Sequence, residues 1–124
     1  MTKGQLTIVL PGVRSPSQND YWSTPHWAVR AKLAKGVHAI VQKRLREMGI
    51  QPGTTCNKKV TIDVVGYFDS RPLDSDNVAV KPFIDGLKGW LLVDDSPKYV
   101  GRVSTDSRID KANPRVEITL TEVE

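Results

Sequence analysis

The sequence predicts one α+β domain: a mixed β-sheet of about four to five strands with two α-helices, in the order β-α-β-α-β-β. Three observations carry this expectation. The chain has 124 residues, the length of one domain with a modest core. Four short apolar runs bounded by turn residues read as strands. Two longer stretches carry apolar residues three and four apart, which is helical spacing.

Gln5 to Leu10 is the first predicted strand, ended by Pro11-Gly12. A polar, turn-rich loop containing Pro16-Ser17-Gln18-Asn19-Asp20-Tyr21-Trp22 follows. A helix is predicted from Thr24-Pro25, with threonine as N-cap and proline in the first turn, to Met48, with Gly49 as its C-cap. Leu33, Val37, Ile40, Val41, Leu45 and Met48 form its expected buried stripe. Lys32, Lys35, Lys43 and Arg46 fall on the opposite face. They make either a solvated surface or a strip for a DNA backbone.

Gln51-Pro52-Gly53 is a loop, and Lys59 to Phe68 alternates like a long strand. Asp69-Ser70-Arg71-Pro72 turns the chain into a second helix, predicted from about Asp76 to Lys88. Pro82 falls beyond the first turn of that helix, where it should kink the helix or end a preceding turn. Leu91 to Val93 is a short apolar run, and Asp94-Asp95-Ser96-Pro97 turns again. Tyr99 to Thr105 and Arg115 to Leu120 are the last predicted strands. Trp27, Trp90, Leu91 and Leu92 are expected in the core or at a contact between subunits.

Composition narrows the function classes. Apolar residues are 39% of the chain, which suits a folded protein rather than a disordered one. No run approaches the roughly 18 apolar residues of a membrane helix. Cys56 is the one cysteine, so no internal disulfide or cysteine-pair metal site forms. Without a signal-peptide pattern at Met1, a cytoplasmic setting is expected.

The formal charge is +4, and it is segregated. No acid lies between Tyr21 and Arg46, while eight of the ten aspartates lie from Asp69 to Asp110. Two carboxylates ~4 Å apart repel by roughly 4 kcal/mol at an effective dielectric of ~20. Asp74, Asp76, Asp94 and Asp95 must therefore point apart or share a cation. Hard oxygen donors suit Mg²⁺. In an extended segment, residues two apart point to one side, so Asp74 and Asp76 could converge on one ion. The plainer alternative is that they cap a helix or a turn. Asn77, Lys81, Asp85 and Lys88 share one face of the predicted helix, which places a lysine beside the carboxylates. His26 and His38 have no nucleophile at a recognisable spacing, and no phosphate-binding glycine loop is present. Any catalysis should rest on carboxylates and metal.

These residues resemble the RusA-type Holliday-junction resolvases, small endonucleases of phages and prophages. The resemblance rests on Asp74-x-Asp76-Asn77, on Lys81, on Ile84-Asp85-Gly86-Leu87 and on Asp94-Asp95. It extends to Pro16-Ser17-x-Asn19-x-Tyr21, and so covers nearly the whole chain. It implies a RusA-like fold and a homodimer that cuts four-way DNA junctions by paired symmetric nicks. It implies Mg²⁺ or Mn²⁺ on Asp74, Asp76 and Asp95, with Asp94 supporting and Lys81 catalytic. Basic residues ahead of the first aspartate are also expected, and Arg71 stands there. With Asn19, Lys32, Lys35, Lys43 and Arg46 it makes the expected DNA-contact set. This chain carries one residue more than the family pattern between the Asp-x-Asp motif and Asp85. A π-bulge at Pro82 is expected to absorb it and keep Lys81 aimed at the site. Two other readings remain from the residues themselves: a non-catalytic branched-DNA-binding protein, and a hydrolase of small phosphate esters.

Overall fold

Alternation in the strands produces a sheet with one apolar face. The computed structural model describes residues 4–23, 27–55 and 57–123. Strand β1 (Gln5–Pro11) turns Ile8 and Leu10 inward. Strand β2 (Val60–Phe68) does the same with Val60, Ile62, Val64 and Phe68. Strand β4 (Arg115–Glu122) contributes Val116, Ile118 and Leu120. The residues between them stay polar or half-buried, as period-two geometry requires. The sheet order is β1-β4-β2-β3, with β4 antiparallel to both neighbours. Strand β3 (Val100–Ile109) lies at one edge, parallel to β2. A parallel pair needs a crossover, and the segment between β2 and β3 carries the acidic residues.

The helices cover the apolar face. Helix α1 (Gln18–Ser23) leads to α2 (Trp27–Glu47), and α3 (Lys81–Leu87) lies in the crossover. Val37, Val41 and Leu45 of α2 and Phe83, Ile84 and Leu87 of α3 join the strand residues in one core. Each such large side chain contributes about 1.5–3 kcal/mol by leaving water. Trp90, Leu91 and Leu92 are also buried in this core, whereas Trp27 is 76% exposed. Helix α2 ends as expected: Gly49 takes φ 81°, and the Ile50 N–H returns to the Leu45 carbonyl at 2.9 Å. Its predicted start at Thr24-Pro25 lies outside the described residues. Among those described, no helix is long and apolar enough to cross a membrane.

The structure is α+β, as predicted, with four corrections. The loop after β1 contains α1, whose first turn is held by the Ser17 hydroxyl accepting the Asp20 N–H at 2.9 Å. The predicted helix from Asp76 to Lys88 is two pieces. A 3-10 turn covers Ser75–Asn77, Val78 is extended at ψ 122°, and α3 begins only at Lys81. Val78 is drawn into an isolated bridge with Ser17, and the Ala79 N–H donates to the Pro16 carbonyl at 2.9 Å. These tertiary bonds outweigh local helix preference. Pro82 therefore stands in the first turn of α3, where its missing N–H leaves no bond unmade, and it makes no bulge. Lastly, Leu33 and Ile40 are 39% and 41% exposed instead of buried. They line a groove of about 680 Å³ with Val13 and Leu73. The loop before α1 and Leu73 of the crossover border this half of α2 without covering it, so the apolar stripe is left partly open.

Gly66 leaves room for a neighbour. A Cβ there would meet the Phe68 ring at 2.9 Å, and Phe68 is almost wholly buried. Gly66→Ala is expected to destabilise the fold by about 1–3 kcal/mol through displacement of that ring. Urea unfolding measures this; an unchanged midpoint would show that the ring swings aside freely.

Candidate carboxylate site

Asp74 precedes the 3-10 turn Ser75–Asn77, and Asp76 is its middle residue. The turn is tied on three sides. Within it the Asn77 N–H donates to the Asp74 carbonyl at 2.8 Å. Toward α1, the Asn77 Oδ1 accepts the Asn19 N–H at 3.1 Å. Toward β3, the Thr105 hydroxyl donates to the Ser75 carbonyl at 2.6 Å, and the Ser75 hydroxyl to Asp106 Oδ1 at 3.3 Å. The backbone is thereby fixed while the aspartate side chains are not. Asp74 occupies the cap position at φ −63° and ψ 151°, yet its carboxylate makes no capping bond. The capping alternative is thus not how its side chain is used. Asp76 is exposed, and its carboxylate makes no hydrogen bond or ion pair among the described residues.

Asp95 lies in a different electrostatic setting. The Lys81 Nζ donates to Asp95 Oδ2 at 3.0 Å and stands 3.1 Å from Asp85 Oδ1. The Lys88 Nζ approaches the same two acids, at 2.9 Å from Asp85 Oδ1 and 3.4 Å from Asp95 Oδ2. Asp85 Oδ1 is buried, and its partners are the two lysine ammonium groups, which pair with it as ions. Spacings of four and three along α3 put Lys81, Asp85 and Lys88 on one face. Asp94 points elsewhere: its Oδ1 accepts the Ser96 N–H at 2.7 Å and shapes the turn.

These contacts move the proton affinities. The hydrogen bond from Lys81 holds the Asp95 carboxyl below its ordinary value, against a smaller burial effect. The hydrogen bond to Asp95, with help from Asp85, raises Lys81. Contact with Asp85 likewise raises Lys88. Ser96 lowers Asp94. A lowered carboxyl stabilises the fold above its unfolded value near 3.9, and this is lost as pH falls through the folded value. A raised lysine stabilises below about 10.4, and this is lost as pH rises through its folded value. The network should therefore contribute between about pH 4 and pH 10, and little outside. It is a partly exposed network, so about 0.2–1 kcal/mol per pair is expected. Urea unfolding of the wild type against Asp95→Asn should show a difference at pH 7 that is smaller at pH 3. An equal difference at both would discard the assignment.

The residues suit a hard divalent cation in donor type. Asp74 and Asp76 offer uncommitted carboxylates on one fixed turn, and Asp95 offers a third that the lysines now hold. Among the described residues no three such side chains are gathered in metal-binding geometry.

The basic residues divide. Lys32 borders the groove that Leu73 also lines, next to Asp74. Asn19 touches the acidic turn through its own N–H. Arg46 lies over the Trp90 ring at 5.3 Å. Lys35 and Lys43 are exposed on α2 without ion pairs among the described residues. Arg71 lies just ahead of Asp74 at φ 48°, facing Arg14. The spacing had already put Lys88 on the face of Lys81 and Asp85, whereas Asp106 and Arg14 were missed as site neighbours and are placed by topology alone. Neither a family model nor a curated protein sequence matches the chain.

Proposed function

We propose that this chain is a metal-dependent endodeoxyribonuclease of the RusA type, acting on four-way DNA junctions as a homodimer. The observation that carries the reading is the Lys81–Asp95 bond. It joins the lysine that follows the Asp-x-Asp turn to the second residue of the Asp94-Asp95 pair. The Asn19 contact to Asn77 supports it, because it brings the loop after β1 to the same turn.

Asp74, Asp76 and Asp95 would hold Mg²⁺ or Mn²⁺. When bound, such an ion supplies Lewis acidity toward water and the phosphoryl oxygens. The chain's own part is electrostatic. In hydrolysis the oxygen of water joins phosphorus, the bond to the leaving oxygen breaks, and that oxygen takes up a proton. Negative charge grows on the phosphoryl oxygens, and the Lys81 ammonium would offset it. Two copies related by a two-fold axis match the two-fold form of the junction, giving one nick per copy.

The test is incubation with an end-labelled synthetic four-way junction in Mg²⁺. Paired symmetric nicks support the proposal. Binding without nicks in Mg²⁺ or Mn²⁺ would leave a branched-DNA-binding protein. Turnover of small phosphate esters without junction binding would leave a phosphohydrolase.

A further inference from the structure

Arg14 was not singled out by its sequence position. The chain brings it to the Asp69–Arg71 turn, where its Nη2 donates to the Arg71 carbonyl at 3.2 Å. The Arg14 guanidinium also lies over the Phe68 ring, 4.7 Å from its centre. Phe68 is 2% exposed, so this platform is fixed in the core. Arg14 is thus held at one edge and one face, which leaves other N–H donors of its fork free. Arg14, Asp69, Ser70 and Arg71 line a cleft of about 440 Å³.

Two further facts mark this cleft. Neither Arg14 nor Arg71 forms an ion pair among the described residues, although Asp69 lies in the same wall. Two guanidinium groups against one carboxylate leave it net positive. Arg71 also has a left-handed backbone at φ 48°, a conformation that favours glycine and strains a long side chain. Two arginines without ion pairs at one cleft suit planar, forked recognition of a tetrahedral anion.

We infer that Arg14 and Arg71 form a phosphate-binding cleft that grips a backbone phosphodiester beside the one that is cut. The inference rests on the nucleic-acid reading above for the identity of its ligand. Only Pro72 and Leu73 separate Arg71 from Asp74, so a strand lying on the carboxylate turn would pass this cleft. The cleft fixes the strand; it does not act on the reacting bond.

The experiment has two arms on the full chain. In the first, inorganic phosphate is titrated while the arginine Nε–Hε resonances are followed by NMR. Saturable shifts of Arg14 and Arg71 are expected, and are lost in Arg71→Gly. That variant should fold at least as stably, because glycine tolerates the left-handed backbone. In the second, junction affinity is measured against salt. Arg14→Gln should weaken binding about tenfold and reduce the salt slope by about one, while Arg14→Lys recovers part of the affinity. Shifts on phosphate in a protein that binds no DNA would keep the cleft and discard the nuclease reading. Junction nicking with no phosphate response, and with Arg14→Gln as active as wild type, would discard the cleft alone.

Discussion

Asp76→Asn is expected to lower junction nicking about a thousandfold while leaving the melting temperature unmoved. The separation follows from how Asp76 is held. Its carboxylate makes no hydrogen bond or ion pair among the described residues, so the fold loses nothing when the charge goes. Exposed substitutions of this kind change stability by at most about 0.5 kcal/mol. Removing one negative charge beside a polyanion should leave junction binding intact or tighten it. Asp74→Asn should behave alike, since its carboxylate also makes no capping bond. Asp94→Asn should differ in kind. Its carboxylate organises the Ser96 turn, so a modest loss of stability accompanies a smaller loss of rate. Single-turnover nicking beside thermal melting reads both quantities. Nicking by Asp76→Asn at the wild-type rate would remove this carboxylate from the mechanism.

The sheet was readable because a strand writes its burial into the sequence at period two. Val60, Ile62 and Val64 alternate with Thr61 and Asp63, and the structure buries the first set. The end of α2 was readable because only glycine takes φ 81° at Gly49 without strain. Helix α1 was missed, although Ser17 followed three residues later by Asp20 is a helix-start signal. The density of turn residues around it obscured the short run. The break between Asn77 and Lys81 was not readable. It depends on Ser17 and Pro16 reaching across from the other end of the chain to bond Val78 and Ala79. The exposure of Leu33 and Ile40 is of the same kind, since periodicity shows which face is apolar and not what packs on it. At the site, Asp74, Asp76, Lys81 and Asp95 could be named from local motifs. That Asp95 is held by two lysines could not, because Lys88 and Lys81 reach it only once α3 has docked.

That arrangement gives Lys81 two opposing roles, and Lys81→Met should separate them. Lys81 holds Asp95 at 3.0 Å, so it would compete with a cation for that carboxylate. Methionine removes the competitor, and the Mg²⁺ concentration for half-maximal nicking should fall. Under the proposed mechanism the same change removes the ammonium that would offset charge on the phosphoryl oxygens, and kcat should fall by about 10²–10³. A merely structural lysine would move neither quantity in this pattern. Its loss would lower stability by about 0.2–1 kcal/mol, the worth of a partly exposed ion pair, and would affect nicking only through unfolding. Lys81→Arg keeps the charge in a wider, planar group and should restore rate in part while restoring the competition. Lys88 remains within 3.4 Å of Asp95 in Lys81→Met, so the fall in metal requirement is partial and should deepen when both lysines are replaced. Nicking rates measured across a Mg²⁺ titration decide the matter. If rate and metal requirement both stay at wild-type values, Lys81 belongs to the surface ion network and not to the reaction.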